Sequence, residues 1–323
     1  MYELVKVTEH CYYFESPAKI GLVDIGDGSV VLIDSGNDKD AGKKVKRAID
    51  ANGWHLKAIY NTHSHADHIG GNKYLQTNTG CRIFANGIEQ SFVEHPILEP
   101  SLLYGGYPPK ELKHKQLLAK ESDVEPLTQD ALPDGFEIIP LPGHAFDMLG
   151  FKTPDGVYYM ADCLSSKATI DKYGISYLID PGKYIETLEH VKEIAEKEIT
   201  GKEITGKETV SSEDAAADKD DDTFKQFIPA HTKVLTAREI FDLAQINIDK
   251  TNEIADKIVD ILREPEDFDD LLRDVFDAFG MTMTFEQHAL IGSTIRSYIT
   301  WLWDNGRIEA TIRDGRVLYS AAE

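Results

Sequence analysis

Cysteine is scarce in this chain: three residues, Cys11, Cys81 and Cys163, among 323. Their number is odd, they stand far apart, and no CxxC pair occurs. No disulfide framework is encoded, as expected of a protein kept in a reducing cytoplasm. Long apolar runs are also missing, with nothing near the ~18 residues of a membrane span. The opening Met1-Tyr2-Glu3-Leu4-Val5-Lys6 lacks the basic stretch and apolar run of a secretory signal. Basic residues are few, 34 against 56 acidic ones, for a formal net charge of −22. So acidic a chain repels phosphate backbones and anionic membrane surfaces, which disfavours non-specific nucleic-acid binding and membrane attachment. What is present is ordinary for a globular protein. Hydrophobic residues at 41% support a sizeable core, and the length allows two domains at roughly 150 residues each.

Along the chain, β-rich runs at Cys11–Phe14, Ile20–Ile25 and Val30–Ile33 are separated by turns such as Gly26-Asp27-Gly28. Asp40–Ala51 reads as a helix with Gly53 just beyond its end. Leu56–Tyr60 is a short apolar strand entering a His-rich segment, followed by a helix over 69–79 and a strand at Arg82–Ala85. Residues 95–135, with six prolines, read as a long irregular connection of the kind that is often functional. Strands return at Phe136–Leu141, Leu149–Thr153 and Val157–Met160, and a helix follows over about 182–198. Strands alternating with helices indicate an α/β domain. A tandem Lys-Glu-Ile-Thr-Gly repeat over 197–206 leads into an acidic patch at Asp218, Asp220, Asp221 and Asp222. The stretch of about 197–222 reads as a solvated charged insertion that lengthens a loop or helix end.

From about residue 241 the pattern changes. Ile246–Leu262 and Asp267–Phe279 are amphipathic, and Thr284-Phe285-Glu286-Gln287 has capping-box spacing. Ile291, Ile295, Ile299 and Leu302 form an apolar stripe behind it. Two short strands then flank Asp314-Gly315, a hairpin dipeptide. Three helices and a hairpin outline a winged-helix-like module over 241–323, after a catalytic domain over 1–240. The module holds eight basic and seventeen acidic residues. Its third helix, Thr284–Asp304, carries one basic residue, Arg296. A nucleic-acid footprint needs a basic face, so the module reads as a packing or homodimer element, with Trp301, Leu302 and Trp303 offering apolar contact.

The segment with most chemistry is Asn61-Thr62-His63-Ser64-His65-Ala66-Asp67-His68-Ile69-Gly70-Gly71-Asn72. Four metal-capable side chains fall within six residues. His63 and His65, two apart after a strand, point the same way. Asp67 and His68 follow as the chain turns into a helix, so one imidazole cluster and one mixed with carboxylate are both within reach. Gly70 and Gly71 let the backbone pass close to so crowded a centre. Imidazoles with a carboxylate suit zinc first, with iron and manganese also acceptable. Asp34, His144, Asp162 and His231 each close a strand, where α/β proteins place their sites.

In this order, these motifs resemble the metallo-β-lactamase superfamily of binuclear metallohydrolases, over about residues 1–240. The resemblance implies a four-layered αβ/βα sandwich with two divalent metal ions at one edge. His63, His65 and His144 would hold the first ion, Asp67, His68 and His231 the second, and Asp162 would bridge them. Asp34 corresponds to a motif that supports the site by hydrogen bonding without being a ligand. Two ions on one carboxylate can share a water and generate hydroxide at neutral pH. Asp67 would orient that hydroxide for attack on a carbonyl or a phosphorus. No GxSxG nucleophile elbow is present.

Departures narrow the choice. Cysteine-liganded lactamases carry Cys where Asp162 stands, and Cys163, beside that ligand, points away as a small buried residue. The diiron flavoproteins carry Glu in place of His65 and add a flavodoxin domain. The HxHxDHxGGN form looks like the glyoxalase II group of thioester hydrolases. Tyr104 and Tyr107, in the Pro-rich segment His95–His114 over the metal edge, are candidates to contact substrate. His10, His55, His95, His114, His190 and His288 have no ligand spacing. The expected protein is a cytoplasmic metal-dependent hydrolase of a small-molecule thioester, ester or lactone. A metal-dependent phosphodiesterase or ribonuclease and a non-catalytic nucleic-acid-binding regulator are the alternatives.

Overall fold

The computed structural model describes residues 2–207 and 224–322, so Asp218 and Asp220–Asp222 of the acidic patch lie outside the described residues. A seven-stranded sheet comprises β1 (Glu3–Lys6), β2 (Cys11–Glu15), β3 (Ile20–Asp24), β4 (Ser29–Ile33), β5 (His55–Tyr60), β6 (Arg82–Ala85) and β7 (Glu125–Pro126), in spatial order of sequence. Its first four strands pair antiparallel, and β4 to β7 pair parallel. A second sheet holds β8 (Glu137–Pro140), β9 (Leu149–Lys152), β10 (Tyr158–Ala161) and β11 (Phe227–Pro229) in the order β11-β10-β9-β8.

Side-chain alternation explains why the sheets stack. In β4, Val30 and Leu32 enter one apolar cluster while Val31 and Ile33 enter another. A strand buried on both faces needs a layer on each side. Val31, Ile33 and Tyr60 of the first sheet meet Phe151, Tyr159 and Ile228 of the second. Outside, α1 (Lys39–Ala51), α2 (Ala66–Ile69) and α3 (Asn72–Thr79) bring Val45, Ile49, Ile69 and Leu75 onto Val30, Leu32 and Ile59. Asp38 caps α1 by accepting from the amides of Asp40 and Ala41 at 2.9 Å. The outer face of the second sheet is covered from α7 onward, completing four layers.

The prolines of 95–135 conceal helices. α4 (Gly87–Glu94) precedes the segment, and α5 (Leu98–Tyr104) lies within it. Pro100 is the third residue of α5, in the first turn, where its missing N–H costs no hydrogen bond. α6 (Lys167–Tyr173) is capped by Ser166 and, at seven residues, is too short for periodicity to reveal. α7 (Pro181–Lys207) runs through the tandem repeat, so that stretch lengthens a helix.

α8 (Ala237–Ile261) is closed by a capping box between Thr236 and Glu239, and it runs unbroken across residue 240. α9 (Phe268–Ala278), α10 (Phe285–Asp304) and the hairpin β12 (Ile308–Arg313) and β13 (Arg316–Ala321) follow. One apolar cluster joins Met160 and Phe227 of the second sheet to Leu188 of α7, Ile240 and Ile258 of α8, Phe276 of α9 and Tyr298 of α10. The helical tail therefore shares a core with the sandwich. Among the described residues, no helix is long and apolar enough to cross a membrane.

Gly70 and Gly71, between α2 and α3, crowd against the loop after β4 rather than against the histidines. A Cβ on Gly71 would stand 2.3 Å from the Ser35 carbonyl oxygen, and one on Gly70 2.4 Å from Asn37. Gly71→Ala should cost about 1–3 kcal/mol or more. Thermal unfolding should show a midpoint several degrees lower, at about 2–4 °C per kcal/mol. An unchanged midpoint would mean that this loop yields.

Candidate metal centre

β4 and β5 run parallel, as do β10 and β11, and β8 shares their sense through two antiparallel pairings. Five strands thus deliver Asp34, His63, His144, Asp162 and His231 to one edge. Two residues there carry left-handed backbone, Asp34 (φ 64°) and Ala161 (φ 49°), the kind of strain found where function fixes direction. Gly143 (φ 122°) aims His144. Its carbonyl accepts from the amides of Ile179 and Asp180, and a Cβ would lie 2.4 Å from the Tyr184 nitrogen.

Three candidate groups assemble: His63, His65 and His144; His63, His68 and Asp162; Asp67, His68 and His231. His63 Nε2 and His144 Nε2 lie 3.0 and 3.1 Å from His65 Nδ1. Asp162 stands between the groups. Its Oδ2 lies 3.4 Å from His144 Nε2 and 3.2 Å from His231 Nε2, and its Oδ1 lies 3.2 Å from His68 Nε2. Asp67 Oδ2 is 3.1 Å from His231 Nε2.

The outward ring nitrogens set the tautomers. His63 Nδ1 donates to Thr62 Oγ1 at 3.0 Å, since that hydroxyl spends its own proton on Asp34 Oδ2. His68 Nδ1 donates to Asp34 Oδ2 at 2.8 Å, His144 Nδ1 to the Tyr177 carbonyl at 3.1 Å, and His231 Nδ1 to the Pro17 carbonyl at 2.9 Å. His63 and His144, neutral, then turn lone pairs inward, and His68 and His231 do so once their second proton is displaced. Inward nitrogens gathered about 3 Å apart form a donor set for a cation. His68 Nε2 and Asp162 Oδ1, both buried, face each other without the alignment of a hydrogen bond and have no hydrogen-bond partner among the described residues. The residues fit divalent metal ions on this ground.

Electrostatics separates the two groups. Burial holds His63 and His144 below the usual imidazole range and His65 down to about 3, so all three are neutral at neutral pH. His231 is pushed up to about 10, first by Asp162. His68 is raised by Asp162, Asp67 and Asp34 against the opposing effect of burial. Burial alone would raise Asp67 and Asp162, but the neighbouring imidazoles keep both ionised.

Support comes from residues that motif reading passed over. Glu89 of α4 accepts from the amide and hydroxyl of Ser64, between the two histidines, at 2.9 and 2.5 Å. Glu99 of α5 lies 3.6 Å from His65 Nε2. Burial raises Glu99 to about 8. Tyr177 sets its ring edge-on to His65 and His144, with centroids 5.4 and 5.7 Å away. None of the three has a spacing signal in the sequence. Tyr104 and Tyr107 do not line the cavity beside the cluster. Tyr104 is half exposed near Phe285, and Tyr107 is 77% exposed with the Lys113 ammonium over its ring. Tyr177 does line that cavity. Cys163 is fully buried, and burial pushes its thiol far up.

Residues 14–200 match the family model of the metallo-beta-lactamase superfamily. The chain belongs to this superfamily. A hydroxyacylglutathione hydrolase of Methylococcus capsulatus is 40% identical over 58 residues, 18% of this chain and 21% of that protein. Another, from Prochlorococcus marinus, is 51% identical over 51 residues, 16% of this chain and 19% of that protein. The chain thus matches about a fifth of the length of these curated relatives. Among solved structures, a beta-lactamase domain protein from Burkholderia ambifaria aligns with TM-score 0.65 at 15% identity, covering 99% of this chain and 94% of that one. A metallo-beta-lactamase family protein from Thermus thermophilus aligns at 0.66 and 14%, covering 98% and 100%. The superfamily fold is therefore shared, and the likeness extends over the helical tail.

The two imidazole groups predict separable metal losses. A metal at Asp67, His68 and His231 must displace protons, so its affinity rises with pH up to about 10. The group of His63, His65 and His144 stays neutral below the usual imidazole range and keeps its metal longer on acidification. Elemental analysis after dialysis should find about two metals per chain at about pH 8 and about one near pH 5.5. Loss of both in a single step would contradict this assignment.

Proposed function

We propose that the chain is a metal-dependent hydrolase of small-molecule thioesters, esters or lactones, with residues 1–240 as its catalytic part. The observation that carries the reading is the convergence of five imidazoles and two carboxylates on one edge, four of the rings fixed by outward hydrogen bonds, with a cavity alongside. The partial likeness to hydroxyacylglutathione hydrolases, whose name describes the cleavage of an S-acyl bond, supports a thioester first.

In this proposal His63, His65 and His144 hold one ion, Asp67, His68 and His231 hold the other, and Asp162 lies between. Zinc suits the donor set best, with iron and manganese also accommodated. Divalent ions held there supply Lewis acidity toward a carbonyl oxygen and a water acidified to near-neutral pKa. The protein's own groups do the rest. Asp67, ionised and the most open of the cluster's aspartates, accepts a proton from the attacking water and orients it. Asp34, through Thr62 and His68, keeps the imidazoles in the ligating tautomer. Tyr177, whose phenol burial keeps protonated, closes one side against water.

Asp67→Asn preserves shape and removes the charge. Steady-state kinetics on any good substrate should show a loss of two or more powers of ten, about 3 kcal/mol of barrier. Cys163→Ala should stay within a few-fold. A dead Cys163→Ala beside a normal Asp67→Asn would move the chemistry to the thiol.

The phosphodiesterase and nucleic-acid readings lack a cationic surface at the cavity, since no Lys or Arg lines it among the described residues. Binding to random duplex DNA or to RNA at about 0.15 M salt should be undetectable at micromolar protein by anisotropy. Nanomolar binding would restore the regulator or nuclease.

A further inference from the structure

The cavity beside the cluster constrains the substrate. It measures about 260 Å³, and His144, Asp162 and His231 form one wall. That volume is below the ~300–1,000 Å³ of typical ligand pockets, so the group it takes is compact.

The opposite walls are largely apolar. Leu164, Ile175 and Leu178 come from the segment around α6, and Leu290 and Ile291 come from α10. The polar side chains present are mostly engaged with one another. Ser165 and Ser176 share a hydrogen bond at 3.0 Å, and Thr169 pairs with Ser166 at 2.8 Å. Gln287, on the first turn of α10, is the exception: its side-chain amide makes no hydrogen bond among the described residues. Lys172, exposed and not part of the lining, bonds the Tyr173 hydroxyl at 2.9 Å.

We propose, resting on the hydrolase reading above, that this cavity receives a compact, uncharged acyl group of the substrate. The tail helix α10 sets that preference, with Leu290 and Ile291 as the apolar wall and Gln287 as the one directional polar contact. An acyl group ending in a carboxylate would set its charge against the apolar walls, where no Lys or Arg lines the cavity among the described residues. Burial without a partner is costly for any ion. A hydroxyl on the acyl chain, by contrast, finds the Gln287 amide. The short likeness to hydroxyacylglutathione hydrolases extends over only a fifth of those proteins, so their substrate does not settle the acyl group here.

The test uses the metal-loaded full chain and an isosteric pair of N-acetylcysteamine thioesters, 4-methylpentanoyl and succinyl. Branched methyls and carboxylate oxygens occupy the same volume and differ in charge. The neutral acyl should be favoured by ~100-fold or more in kcat/KM, because the pocket strands the anion. Binding is measured separately by calorimetry with the unreactive amides, 4-methylpentanamide and succinamate, and should show at least a tenfold preference for the neutral one. Leu290→Arg should erase most of that preference. Gln287→Leu should lower the preference for 3-hydroxybutanoyl over butanoyl several-fold, which keeps the test decisive if the arginine variant misfolds. Equal or better binding and turnover of the succinyl member overturns the proposal. If no thioester turns over while the amide preference holds, the thioester reading falls and the cavity assignment stands.

Discussion

The carboxylate of Asp34 is the constraint on which the metal edge depends. It is 3% exposed, sits in left-handed backbone at the end of β4, and accepts three hydrogen bonds: from the Thr62 amide, the Thr62 hydroxyl and His68 Nδ1. By taking the Thr62 proton it makes that hydroxyl an acceptor for His63. By taking the His68 proton it turns His68 Nε2 inward. One buried carboxylate therefore sets the tautomers of two rings in two different groups. Removing it would leave buried donors unpaired as well as misdirect the rings.

The sandwich makes that arrangement possible. Strands buried on both faces leave no room for polar groups along their length, so polar side chains collect where the strands end. Parallel pairing of β4 with β5 and of β10 with β11 brings the ends together, and apposition of the sheets sets one group of ends opposite the other. The helices then adjust the edge locally. α4 steadies the His63-Ser64-His65 run through Glu89, and α5 brings Glu99 to His65.

The tail is bound to the same machinery. α5 packs against α10, and His114 beyond α5 lies 3.4 Å from Glu286 at the start of α10. α10 in turn supplies one wall of the cavity. A segment whose sequence suggests a separate module thus shares a core with the sandwich and lines the cavity beside the cluster. Its place over this cavity is what the proposed selection of neutral acyl groups rests on.

The α/β class, the ligand-type residues and the hairpin were all legible in the chain before folding. Each rests on a local rule: alternation along strands, His and Asp at two- and four-residue spacing, and Asp314-Gly315 with both residues at positive φ. Short helices escaped because seven residues carry too little periodicity, and α5 also because Pro100 in its first turn mimics a breaker. Glu89, Glu99 and Tyr177 escaped because they come from other elements and act through single contacts made only in three dimensions. Tyr104 and Tyr107, expected over the metal edge, stand away from the cavity beside the cluster for the converse reason. They lie in a segment that does reach the cluster, but through Glu99, five residues before Tyr104. Which way a side chain points at the end of a short helix is decided by what that helix packs on, and that partner is fixed only when distant elements come together.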